Sequence, residues 1–207
     1  MTIGLIGYGA VGKQVETLLR QSGYNDLIIF DDNVLRDDQT KFPFLHFDSG
    51  KFDDVEFLPT IGYKSLGLKT KVFELLHDGV KKIFTFVHRT SFVNDLALLK
   101  EGVICYPMCN IDQSVVLHRG VLLNNSCIIS HNTQIGENTY VSPGVVISGN
   151  VTVGKNCFIG SGTVISNDVN IGNDVIIGVG SCITKDIPNN TNVIGNPLRI
   201  VRKLNLV

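Results

Sequence analysis

Aliphatic residues return on a fixed beat through the second half of this chain. Starting at Ile111 and ending at Ile183, every sixth position is Ile, Leu or Val, 13 slots in succession. The stretch ISHNTQIGENTYVSPG, residues 129–144, shows three of them: Ile129, Ile135 and Val141. Four residues after each slot comes a second register, Val115, Val121, Cys127, Thr133, Thr139 and onward, almost all small or β-branched. Such side chains suit a pleated, half-buried surface. Between the registers stand Gly, Asn, Asp, Ser and Pro, the turn residues. A six-residue unit of short strand plus turn has no way to bury its own apolar side, so the units must stack.

Residues 1–105 follow a different pattern. TIGLIGYG is an apolar run closing on glycine, and AVGKQVETLLRQSG carries Val11, Val15, Leu18 and Leu19 at helical spacing. DLIIFDDN reads as a second strand, TKVFELLHDG as a helix, KKIFTFVH as a strand and FVNDLALLKEG as a further helix. Strands alternating with helices predict a parallel α/β unit. The expected organisation is therefore an α/β domain over 1–105 and an all-β repeat domain over 106–207, with VICYPMCN leading into the repeats.

Gly7, Gly9 and Gly12 form G-x-G-x-x-G between the first strand and the first helix. Glycines there let backbone approach a phosphate at a helix N-terminus, although a plain tight turn has the same letters. Asp31 and Asp32, about 20 residues on, end the next strand where a ribose- or base-binding acid belongs. About 100 residues is short for a full dinucleotide domain, so half a site for a mononucleotide or nucleotide-sugar fits better.

Bulk properties narrow the classes further. The chain has 207 residues, 43% of them apolar, with a formal charge of −1. That balance gives no electrostatic case for nucleic-acid binding. No apolar run reaches the roughly 18 residues of a membrane span. The five cysteines are odd in number and widely spaced, and MTIGLIGYGAVG reads as a strand rather than a signal peptide. Reduced thiols in the cytoplasm are the expectation. No C-x-x-C pair suggests zinc, and no metal is expected.

The hexads resemble the hexapeptide repeat, which implies a left-handed parallel β-helix. Three hexads make one triangular coil, so residues 18 apart stack about 4.8 Å from one another. Thirteen hexads make a little over four coils. Together with GYGAVG, FDD, the segment SHNTQIGENTYVSPGVVISGNVTVG and the closing VIGNPLRIVRK, the chain resembles the bacterial sialic acid O-acetyltransferase and nucleotide-amino-sugar N-acetyltransferase family. The resemblance implies a homotrimer with acetyl-CoA between adjacent β-helices and a nucleotide-linked amino sugar on the N-terminal unit.

On that resemblance His131 is the general base, and the backbone N–H of Gly149, one coil on, holds the thioester oxygen. A neutral imidazole near its working pH is chemically suited to take a proton from an attacking amine or hydroxyl. The family places an acid after the histidine, where this chain has Asn132. Either the amide suffices, or another carboxylate supplies the role, or the base is weaker. Tyr140 stands where the family has a second histidine near the acetyl group. Gly144, Gly162 and Gly180, at intervals of 18, leave either a groove for pantetheine or merely three corner turns. Arg199, Arg202 and Lys203 could meet CoA phosphates or form a solvated basic tail.

The remaining histidines say less. His118 occupies an outward slot, and His88 ends a strand of the α/β half where it could line the sugar site. A hexapeptide-fold zinc carbonic anhydrase needs three convergent imidazoles, and the repeat region offers His118 and His131. The expected activity is acetyl-CoA-dependent N-acetylation of a nucleotide-linked amino sugar, such as a 4-amino-4,6-dideoxy sugar, in surface glycan synthesis. The alternatives are O-acetylation of a sialic-acid-like sugar and a non-catalytic nucleotide-sugar-binding trimer.

Overall fold

The computed structural model describes residues 1–33, 40–48 and 51–201. It divides into two compact units, Met1–Thr85 and Phe86–Val207.

The first unit is a small parallel sheet. Strands β1 (Thr2–Ile6), β2 (Leu27–Phe30), β3 (Lys41–Phe42) and β4 (Val55–Pro59) lie in the order β3-β2-β1-β4. Helices α1 (Ala10–Gln21) and α2 (Leu66–Asp78) match two of the three expected helices. The central strand β1 is apolar on both faces because it is covered on both, as parallel sheets require. Phe30, Phe47 and Phe57 fill the core with tilted and edge-on ring contacts of 5.8–6.3 Å.

The second unit is a parallel β-solenoid with three faces. The first face runs from Phe86–Val87 through Leu122–Leu123, Tyr140–Val141 and Ile176–Ile177 to Asn192–Ile194 and Arg199–Val201. The second runs from Phe92–Val93 through Ile128–Ile129 to Cys182–Ile183, and the third from Leu98–Leu99 through Gln134–Ile135 to Asn170–Ile171. Each strand pairs in parallel with the one 18 residues on: Leu122 with Tyr140, Ile128 with Val146, Gln134 with Thr152. Both registers point inward, and Ile129, Ile135, Val141 and Ile147 are fully buried. Where the inner register is Thr, its hydroxyl is bonded to backbone: Thr133 Oγ1 donates to the Ser148 carbonyl at 2.9 Å. That satisfies a polar group that would otherwise be costly inside.

The solenoid begins about 20 residues before the boundary expected at 105. The same beat of six continues backward from Ile111 through Cys105, Leu99, Val93 and Val87. The stretch FVNDLALLKEG, expected to be a helix, is two rungs of solenoid, Phe92–Val93 and Leu98–Leu99. Its apolar spacing satisfies a helix locally, but strand pairing to the next rung decides the outcome, with the Phe92 N–H bonded to the Cys109 carbonyl at 2.9 Å. KKIFTFVH likewise divides: Ile83 bridges Phe57 in the first unit, and Phe86–Val87 opens the second.

The corners from residue 102 to residue 180 each turn through one left-handed residue. From Gly102 to Gly180, each sixth residue has φ between +56° and +69°. Gly, Asn, Asp and Ser dominate these slots, since short polar side chains and glycine tolerate this region best. Asn132 and Gly144 are both such residues.

Candidate active site

His131 stands at the corner between strands Ile128–Ile129 and Gln134–Ile135, and its side chain is exposed. Its ring lies against Gly149 on the next rung. A Cβ at position 149 would come 2.5 Å from Cε1 and 2.6 Å from Nε2. Any side chain larger than hydrogen there would push the imidazole away.

Asn132 Nδ2 lies 3.3 Å from His131 Nδ1 and donates to Asn150 Oδ1 at 3.2 Å. Asn150 Nδ2 in turn donates to Asp168 Oδ1 at 3.0 Å. The Gly149 N–H, expected to hold a thioester oxygen, donates to Asn167 Oδ1 at 2.9 Å. In the free chain that donor is therefore engaged. Asn150, Asn167 and Asp168 were not anticipated, yet each lies 18 or 36 residues beyond Asn132 or 18 beyond Gly149. The rung spacing that placed Gly149 beside His131 was signal enough to find them.

Tyr140 is on the first face, on a different side of the coil from the His131 corner. It stacks on Phe158 with centroids 5.8 Å apart, and its hydroxyl accepts from Asn124 Nδ2 at 3.0 Å. Gly144, Gly162 and Gly180 form the corner between the first and second faces. Their φ values of +67°, +66° and +63° are the turn requirement itself. A Cβ on any of them would meet nothing within 4 Å, so the corner is also bare. Arg199 is exposed on a strand, Arg199–Val201, antiparallel to Asn192–Ile194. Arg202 and Lys203 lie outside the described residues.

The first unit holds a cavity of about 710 Å³ at the C-terminal ends of its strands, lined by Gly7, Gly9, Asp31, Asp32, Thr60 and Tyr63 among others. A mononucleotide suits a cleft of this size and position. The glycine loop is locked from several sides. Gly7 has φ +92°, Thr60 Oγ1 donates to the Gly7 carbonyl, and a Cβ on Gly12 would lie 2.4 Å from that same oxygen. Asp31 organises the loop: Oδ2 accepts from the Tyr8 N–H at 2.6 Å and Oδ1 from the Asn33 N–H at 2.8 Å. Asp32 Oδ1 accepts from the Phe44 N–H at 3.0 Å. Gly9 starts α1 without a side-chain cap, leaving its first-turn N–H groups for an anion. Thr60 and Tyr63 follow β4 with no local motif to announce them.

Gly12→Ala is expected to lower affinity for UDP, dTDP or GDP at least tenfold, because the clash is with backbone that has no room to yield. Isothermal titration of the three nucleotides checks this. Unchanged binding would remove the loop from the site.

His88 is not in the α/β unit. It follows Phe86–Val87 in the first rung, nearly buried, with Nδ1 2.9 Å from Thr90 Oγ1. Burial, with the Arg89 charge adding to it, holds its imidazole below the ordinary value. His118 is half-buried in a polar cleft with Arg119 and Glu137. All five cysteines are free thiols. Among the described residues, no group of three or more His, Cys, Asp or Glu is placed to hold a metal ion. Among them, too, no helix is long and apolar enough to cross a membrane.

Residues 114–149 of the solenoid match the bacterial transferase hexapeptide (six repeats) model. Among solved structures, the chain is similar to the acetyltransferase domain of PglB from Neisseria gonorrhoeae FA1090 (23% identity, 97% of this chain and 99% of that one, TM-score 0.87). That domain has also been solved with acetyl coenzyme A. PerB from Caulobacter crescentus, in complex with CoA and GDP-perosamine, is similar at 22% identity over 97% of each chain, with a TM-score of 0.89. WeeI from Acinetobacter baumannii AYE is similar at 21% identity, TM-score 0.64, over 97% of this chain and 100% of that one. These likenesses establish a shared fold across both units. No curated protein matches the chain in sequence.

Proposed function

We propose that this chain is an acetyl-CoA-dependent N-acetyltransferase acting on a nucleotide-linked amino sugar, with His131 as the general base. The observation that carries the reading is the shared fold over 97% of the chain with PglB, solved with acetyl-CoA, and PerB, solved with CoA and a nucleotide amino sugar. Two features of this chain agree with it: a nucleotide-sized cavity behind a glycine loop, and a histidine packed on a glycine one rung away.

In the reaction the sugar amine attacks the thioester carbonyl carbon directly. A tetrahedral oxyanion forms, the C–S bond breaks, and CoA leaves as its thiolate. His131 takes the proton from the nitrogen and returns it to the thiolate. The Gly149 N–H turns to the oxyanion once Asn167 Oδ1 gives it up, a donor worth roughly 3 kcal/mol in comparable sites. No acyl-enzyme is required, which agrees with the buried thiols of Cys105 and Cys157: desolvation pushes both up, Cys157 to about 11. Acetyl-CoA lies between adjacent β-helices of a homotrimer, so that the corner of Gly144, Gly162 and Gly180, with Tyr140 and Arg199, serves one protomer's side of the cleft and the His131 corner its neighbour's.

The active assembly in this reading is a homotrimer. Its support is the outward row of the second face, where Phe92, Ile128 and Val164 are 58%, 44% and 45% exposed. Sedimentation that finds a monomer in solution would overturn that part.

The activity is tested by following CoA release from acetyl-CoA against a panel of UDP-, dTDP- and GDP-linked amino sugars, their free sugars and a sialic-acid-like acceptor. Turnover confined to nucleotide-linked amines supports the proposal. Turnover of the sialic-acid-like acceptor alone makes the enzyme an O-acetyltransferase, and nucleotide-sugar binding without turnover makes the chain a non-catalytic binder.

A further inference from the structure

The departure at Asn132 has a structural consequence two rungs away. Asn132, Asn150 and Asp168 occupy the left-handed slot of one corner on three successive rungs, with φ of +58°, +58° and +61°. Their side chains form a ladder in which Asn132 Nδ2 donates to Asn150 Oδ1 at 3.2 Å and Asn150 Nδ2 donates to Asp168 Oδ1 at 3.0 Å.

An isolated pair of amides can point either way, since oxygen and nitrogen exchange by a flip. A carboxylate breaks that symmetry because it only accepts. Asp168 obliges Asn150 to face it with Nδ2. Asn150 then faces Asn132 with Oδ1, and Asn132 must answer with Nδ2. That same Nδ2 group, with a second hydrogen to give, lies 3.3 Å from His131 Nδ1. Nδ1 must therefore accept, and the ring proton belongs on Nε2, the nitrogen lying over Gly149.

We propose that Asp168, acting through Asn150 and Asn132, is the positioning residue that holds neutral His131 in the Nε2–H tautomer. The proposal deepens the reading of His131 as base and rests on it for its catalytic meaning. The lone pair available for a proton is on Nδ1, on the side of the ring shared with Asn132. The amine reaches it by displacing the long Asn132 contact, and the proton it loses goes to Nδ1 while Nε2–H stays toward Gly149. Turning Nε2 into the acceptor instead would need Asn132 and Asn150 both reversed, setting the Asn150 oxygen against the Asp168 carboxylate.

The fold supplies its own control. At the corner between the third and first faces, Asn138 Nδ2 donates to Asn156 Oδ1 at 3.0 Å and Asn156 Nδ2 to Asp174 Oδ1 at 3.3 Å. The two ladders have the same direction, and each ends on an aspartate. The residue before Asn138 is Glu137, so this one has no imidazole to orient.

Long-range ¹H–¹⁵N spectra of the labelled full-length chain, recorded without substrate where the imidazole is neutral, read the tautomer directly. His131 is assigned by the signals that disappear in His131→Ala. The wild-type ring is expected to be predominantly Nε2–H. Asp168→Asn, which can donate as well as accept, is expected to raise the Nδ1–H to Nε2–H ratio about 2- to 10-fold, what one net hydrogen bond is worth. Asp174→Asn should leave it unchanged. Should Asp168→Asn fail to fold, Asn150→Ala cuts the same ladder one rung nearer and should shift the ratio likewise. A wild-type ring in the Nδ1–H form, no shift in the Asp168 variant, or an equal shift in the Asp174 variant overturns the proposal. Because the spectra involve no acetyl transfer, a chain that shows the tautomer shift but no turnover contradicts the proposed function alone.

Discussion

His131→Ala is expected to lower kcat for acetyl transfer by about 10²- to 10⁴-fold, the usual contribution of a positioned general base. The side chain is exposed, and its contacts are with Asn132 and the surface of Gly149. Removing it opens no cavity in the solenoid, whose core residues around it, Ile129 and Thr133, are buried beneath the corner. Thermal unfolding should therefore stay where it is, and nucleotide affinity in the first unit should not move. Steady-state kinetics alongside a melting curve separates these effects. A variant that keeps the wild-type rate would remove His131 from the reaction.

Gly149→Ala is expected to cost about 100-fold in kcat, for a reason a plain loss of chemistry does not share. Gly149 lies outside the left-handed region, so alanine fits its backbone. The new methyl, however, would lie 2.5–3.0 Å from three atoms of the His131 ring. Since the ring is exposed it can swing away, and a displacement of about 1 Å at a reacting group is enough for a loss of that size. The two substitutions should then be strongly non-additive: in the His131→Ala background, alanine at 149 has no ring left to displace. The double variant is expected near the rate of His131→Ala alone, measured by a double-mutant cycle on kcat. Simple multiplication of the two losses would mean that Gly149 acts independently of the histidine.

Much of this molecule is written in its periodicity. The hexads from Ile111 to Ile183 specify the buried rows, and rung spacing alone places Gly149 beside His131. The reading ran short where one residue masked the beat. Cys105 is a core residue as fully buried as any isoleucine, but it is not aliphatic, and it hid the rungs at Val87, Val93 and Leu99. Local helical spacing in 92–102 then won on paper where parallel pairing wins in the fold.

Asn132 illustrates a second limit. Compared with an expected acid, the amide looks like a loss. In the structure it is the left-handed residue of its corner, and a carboxylate is reached through it at Asp168. That link depends on side chains 36 residues apart in sequence, visible once the rungs are laid over one another. The cavity of the first unit shows the opposite limit. Gly7, Gly9 and Asp31 announce themselves by spacing, whereas Thr60 and Tyr63 reach the cavity through the crossover of β4 beside β1, which no short motif encodes.

N-acetylation of a nucleotide-linked amino sugar is tested most directly by initial rates of CoA release with a nucleotide-linked 4-amino-4,6-dideoxy sugar and with the same nucleotide sugar carrying a hydroxyl in place of the amine. Acetyl-CoA should be consumed with the amine and the acetyl group recovered on its nitrogen, while the hydroxyl analogue binds without turnover. Equal turnover of the hydroxyl analogue, or consumption of acetyl-CoA with neither across the UDP, dTDP and GDP series, would contradict it.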